Sequence, residues 1–158
     1  MVFKAVVEFL ESHGFRYWLG RGRFRHFTLT GEFGDSASDI DFHLLREGEG
    51  DLRAELPVLR GQGYVVTDDA ARHKLSLRKG GVAVEFIYLD RASGDPGACF
   101  HETVYPLRKR FICPTQVFGD RRMEMFGVSV RVPEEEYLPC VFGPRWRENR
   151  KGSGGIQL

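Results

Sequence analysis

Phe3, Val6, Val7 and Leu10 recur at helical spacing and stop at His13-Gly14, so the pattern predicts an amphipathic helix over residues 2–13 with its apolar stripe in the core. The short aromatic run Phe15 to Leu19 reads as a strand ending in a glycine-rich turn, Gly20-Arg21-Gly22. Residues 23–38 mix arginine, histidine, glycine and serine without a readable period. From Ser38 to Leu45 the alternation returns, placing Asp39, Asp41 and His43 on one face of a strand and Ile40, Phe42 and Leu44 on the other.

Leu52, Leu56 and Leu59 follow Asp51, a candidate cap, and predict a helix that contains Pro57 and ends at Gly61-Gln62-Gly63. Tyr64 to Thr67 reads as a short strand. Residues 73–78 and 82–88 flank Gly80-Gly81 and give a strong hairpin signal, with Glu85 in the middle of the more apolar strand. Asp90 to Gly97 has loop composition. A second hairpin pairs residues 121–126 with 128–132 across Gly127, and Pro133 with Glu134 to Glu136 opens a short helix over Tyr137 to Val141. No repeat and no linker divides these elements. The expected architecture is a single α+β domain over residues 1–147, a mixed β-sheet flanked by helices, with residues 148–158 as a mobile tail.

Composition narrows the classes. The chain has 158 residues, enough to bury roughly two thirds of its unfolded surface. With 23 Lys+Arg against 22 Asp+Glu the net charge is +1, so no global field draws it to nucleic acid, and any phosphate-binding patch is local. No apolar run approaches the roughly 20 residues of a membrane span, and Lys4, Glu8 and Glu11 interrupt the first helix, so a cytoplasmic protein without membrane insertion is expected. Cys99, Cys113 and Cys140 are odd in number and widely spaced, which reads as plain buried thiols. The five histidines form no metal-ligand pattern.

The chemistry concentrates at three acids. An Asp-x-Asp on a strand sets two carboxylates about 6 to 7 Å apart on one face, given a rise of about 3.3 Å per residue. Oxygen ligands at that spacing suit Mg²⁺ or Mn²⁺, which typically shares one or two carboxylates with substrate phosphates. Glu85, on a neighbouring strand, is the candidate third acid, because a buried glutamate needs a cation beside it. Glycines 20 and 22 let phosphates approach the backbone, and Arg21, Arg23 and Arg25 beside them are candidates for phosphate contact or for a solvated surface. His43 shares the acids' face. The run Arg108 to Arg110 reads as a solvated face, Trp18 as core, and Trp146 either covers a substrate or packs back on the domain.

In order along the chain, YWLGRGRF, SDIDFHLL, VAVEFIYLD, VYPLRKRF and FGVSVRVPEEEYLPCVFGPRWRE resemble the LicD/fukutin family of phosphotransferases, over most of residues 15–148. The resemblance implies a nucleotidyltransferase-like fold. It also implies transfer of a phosphorylated group, such as phosphocholine or an alditol phosphate, from a CDP-linked donor to a glycan acceptor. Asp39 and Asp41 would then hold the metal, and Glu85 would complete its ligands or act as base. Two positions depart from the family pattern: Arg23 stands where a small hydroxyl residue is usual, and Ala37 and Ser38 stand where acids usually precede the D-x-D. The segment from WLGRGRF to SDIDF is also similar to aminoglycoside and lincosamide nucleotidyltransferases, which would use ATP or another nucleoside triphosphate on a small molecule. A noncatalytic binding domain that kept the fold is the third expectation.

Overall fold

The computed structural model describes residues 1–34, 39–95, 97–103, 109–148 and 156–157. Helix α1 (Val2–Ser12) buries Phe3, Val6, Val7 and Leu10, as its period predicts. Strand β1 (Tyr17–Leu19) follows, then helix α2 (Arg21–Thr30) and strand β2 (Ile40–Leu45). The sequence pattern of α2 was unreadable for a physical reason: its buried residues are Arg23 and Phe24, so one of the two core positions carries a charge.

After β2 the single helix expected across Leu52 to Leu59 is two, α3 (Glu49–Ala54) and α4 (Leu56–Gly61). Pro57 accounts for the break, since its ring disfavours helical backbone before it and lacks an N–H, and it is tolerated here in the first turn of α4. Asp51 therefore lies in the first turn of α3 rather than capping a longer helix.

Strands β3 (Val65–Asp69), β4 (Lys74–Lys79) and β5 (Val82–Arg91) come next. The β4–β5 turn has positive φ at Gly80 (57°) and Gly81 (77°), the backbone that two-residue hairpins favour, and it sets Lys79 opposite Val82. Strands β6 (Ala98–Thr103) and β7 (Lys109–Pro114) follow, with no clean alternation in their sequence to announce them. A separate hairpin, β8 (Arg122–Met125) and β9 (Val128–Arg131), precedes helix α5 (Tyr137–Phe142), and β10 (Ile156–Gln157) adds to the edge of β7. That pairing gives two residues of the expected mobile tail a place in the sheet; residues 149–155 and 158 lie outside the described residues.

The sheet is mixed. β2 pairs β1 antiparallel on one side and β5 parallel on the other, and β5 carries β4 along Val82–Ile87 and β6 at Asp90–Arg91. Aromatic packing links α1 to the sheet, with Phe3 stacked on Phe42 and Phe42 on Phe86, while α5 packs on β7. Trp18 is 1% exposed and its indole N–H donates to the Gly119 carbonyl, which settles it as core. Cys99, Cys113 and Cys140 are free thiols, the first two buried as expected and Cys140 only half-buried.

Candidate active site

Two strand registers bring the acids together. The antiparallel pairing of β1 and β2 sets Leu19 opposite Phe42, so the chain leaves β1 beside Asp41, and the Gly20 N–H donates to the Asp41 carbonyl at 2.9 Å. The parallel pairing of β2 and β5 sets Asp41 directly beside Glu85. Asp39, one residue ahead of β2, is exposed, whereas Asp41 and Glu85 are half-buried. Burial pushes the Asp41 carboxyl up to about 7; Arg21 pulls the other way, and the neighbouring Glu85 and Asp39 add to the rise. The three acids and the glycine bend thus occupy one end of the sheet.

Glu85 has a cation beside it, and that cation is a side chain. The Lys74 Nζ donates to both Glu85 oxygens at 2.8 Å, with the two side chains only 19% and 12% exposed. The reason for expecting a metal beside Glu85, a buried carboxylate in need of a cation, is met instead by Lys74. Among the described residues no group of three His, Cys, Asp or Glu side chains is disposed to hold a metal ion. Asp39 and Asp41 do offer hard carboxylate oxygens, a donor set that fits one Mg²⁺ or Mn²⁺ shared with phosphates.

The bend is held from behind by a neutral hydrogen-bonded pair. Tyr137 of α5 accepts the Arg21 N–H at 2.9 Å, and its hydroxyl lies 2.6 Å from Nε2 of His43. His43 is fully buried; burial, with Arg21 and His101 adding to it, holds its pKa well below the usual histidine range, so the ring is neutral and shares a hydrogen bond with the tyrosine hydroxyl. Burial likewise raises the Tyr137 phenol. Gly20 has extended backbone (φ −135°), so it is the closeness of this pair that demands glycine: a Cβ there would stand 2.5 Å from the His43 ring and 2.9 Å from the Tyr137 hydroxyl. Arg21 itself takes φ 58°, a left-handed conformation that L-residues adopt at a cost.

No family model matches the chain, and no curated protein matches it. Solved structures do match. One is the crystal structure of the aminoglycoside nucleotidyltransferase ANT(2'')-Ia in complex with adenylyl-2''-tobramycin, at 16% identity and a TM-score of 0.54, covering 86% of this chain and 69% of that one. The chain has the nucleotidyltransferase fold.

Within that fold the three arginines of the turn part company. Arg21 acts on both Asp41 and His43, and its guanidinium lies 5.6 Å from the Phe111 ring centre. Arg23, expected at phosphate, is 4% exposed, lies over the Phe33 ring and donates to the Phe33 carbonyl at 3.0 Å. Arg25, also expected there, donates to the Trp146 carbonyl at 2.6 Å and to that of Glu148. Arg23, two residues after Arg21, leaves the helix on another side, whereas Arg25, four residues on, is drawn to the carbonyls of Trp146 and Glu148. Trp146, 5% exposed, packs back on the domain. Lys109 and Arg110 are half-buried, Arg110 lying over Phe100, so they are not a fully solvated run; Arg108 lies outside the described residues.

Lys74 and Tyr137 are the site residues that sequence reasoning passed over. Lys74 had a signal: counting back from the Gly80-Gly81 turn puts it opposite Ile87, on the face that carries Glu85. Tyr137 lies in the stretch that carries the resemblance, but nothing local pointed to His43, 94 residues away.

Proposed function

We propose that the chain is a metal-dependent nucleotidyltransferase that moves a nucleoside monophosphate from a triphosphate donor to a hydroxyl of a small molecule. The observation that carries this is the register that sets Asp41 against Glu85 with the Gly20-Arg21-Gly22 bend hydrogen-bonded to the same strand. The fold it shares with ANT(2'')-Ia, whose complex holds an adenylylated tobramycin, supports the same reading.

Asp39 and Asp41 would hold Mg²⁺ or Mn²⁺, which when bound supplies positive charge to the donor phosphates. The rest falls to the chain. The bend lets phosphate oxygens approach the start of α2, where helix N–H groups are unpaired by the helix itself and the dipole favours anions. Arg21, fixed at the bend by its own N–H, faces the charge that develops on the leaving diphosphate. Glu85, held by Lys74, accepts the proton as the acceptor oxygen bonds to the α-phosphorus and the bond to the diphosphate breaks.

A second reading, LicD-like transfer of a phosphorylated group from a CDP-linked donor to a glycan, rests on the sequence resemblance, whose Tyr137 accepts the Arg21 N–H at the bend. Incubation with Mg²⁺ and ATP, CTP or GTP plus aminoglycosides, and in parallel with CDP-choline or CDP-alditols plus a glycan, separates the two by product mass. A product heavier by a nucleoside monophosphate supports the first, and one heavier by a choline or alditol phosphate supports the second. Binding of nucleotide without product from any donor contradicts both and leaves a noncatalytic domain. Among the described residues no helix is long and apolar enough to cross a membrane.

A further inference from the structure

Of the three acids that β2 and β5 bring to this end of the sheet, Glu85 is already engaged by a cation the chain supplies. Lys74 projects from β4 onto the face that carries Asp41 and Glu85, diagonal to Glu85 across the β4–β5 register, which sets Ser76 opposite Glu85 and Lys74 opposite Ile87. Its ammonium reaches both Glu85 oxygens at 2.8 Å, so neither oxygen is left without a cationic partner, and the pair is largely shielded from water. Lys74 is also anchored, following His73, whose left-handed turn (φ 51°) redirects the chain into β4.

We propose that Lys74 is a resident cation of this site: its ammonium occupies the place beside Glu85 that a second divalent ion would take, so the protein binds one metal ion, on Asp39 and Asp41. The inference rests on the metal-dependent reading above and sharpens it to a single-ion site with Lys74 as a positioning residue for Glu85.

The test counts ions and needs no turnover. Mn²⁺ alone is titrated into the folded protein and followed by electron paramagnetic resonance of the free ion, for the wild type, Lys74→Met, Lys74→Arg and Glu85→Gln. The expected results are one Mn²⁺ per chain in the wild type and in Lys74→Arg, and two in Lys74→Met. Glu85→Gln should keep one ion with an affinity within about threefold of wild type, because Glu85 is not a ligand. Two ions in the wild type, or one in a folded Lys74→Met, would overturn the proposal. If Lys74→Met fails to fold, Glu85→Gln decides alone: a tenfold or greater loss of Mn²⁺ affinity makes Glu85 a ligand and overturns it. A wild type that binds no Mn²⁺ contradicts the metal-dependent reading itself, whereas an unchanged single ion in Lys74→Met contradicts only the role of Lys74.

Discussion

Two groups of polar side chains meet at the end of β1 and β2, and they are built on opposite principles. Behind the bend, His43 and Tyr137 are buried, neutral and hydrogen-bonded to each other and to the Arg21 N–H. In front of it, Asp41 sits beside two other carboxylates with its proton affinity raised. The first arrangement keeps its groups neutral; in the second, burial first and then two neighbouring carboxylates oppose the ionisation of Asp41. On the proposed function, the rigid group lies where backbone would meet phosphate and the acids lie where a metal would be held.

The largest effect expected from disturbing the rigid side is at Gly20. Gly20→Ala drives a methyl into the His43 ring and the Tyr137 hydroxyl, neither of which has room to retreat, and should cost about 3 kcal/mol or more. Gly22→Ala, where a Cβ meets nothing within 4 Å, is the control and should melt within about 2 °C of wild type. Thermal unfolding of the two variants checks the contrast.

On the side of the acids the sign is reversed. The folded-state pKa of Asp41 is raised to about 7 from 3.8, so its ionisation opposes folding: the cost is absent below about pH 4 and complete above about pH 7. Asp41→Asn should therefore be more stable than wild type at pH 8, by on the order of 2–4 kcal/mol, and equal to it at pH 4. His43 behaves oppositely. Its pKa is lowered, so the stability it contributes is full above the ordinary histidine value of 6.5 and is lost as pH falls below it. Urea titrations from pH 4 to 8 should show the Asn variant losing only the component that declines with rising pH.

Smaller still is Tyr137→Phe, which leaves the Arg21 N–H and His43 Nε2 without their partner at nearly constant packing; about 1–2 kcal/mol of stability should be lost. If the bend serves phosphate, the same variant should raise KM for the donor more than it lowers kcat.

Much of this was legible beforehand, and the boundary has a physical basis. Strong short-range signals survived: the α1 period, the Gly80-Gly81 turn, and the alternation that put Asp39 and Asp41 near each other. Register then did further work, since that turn and the parallel β2–β5 pairing together place Lys74, Glu85 and Asp41 on one face. What could not be read depends on distant chain segments or on a core position filled by charge. Tyr137 meets His43 only through tertiary packing, α2 buries an arginine over Phe33, and Arg23 and Arg25 were drawn from the bend by partners at Phe33 and Trp146 that no local pattern announces.

The most direct test of the central claim is the rise in melting temperature on adding Mg²⁺ with a non-hydrolysable nucleoside triphosphate, for wild type and Asp41→Asn. A metal-nucleotide complex held at the two aspartates beside the bend should raise the wild type by several degrees and leave the variant unmoved. Equal rises in both proteins, or none in the wild type, would contradict it.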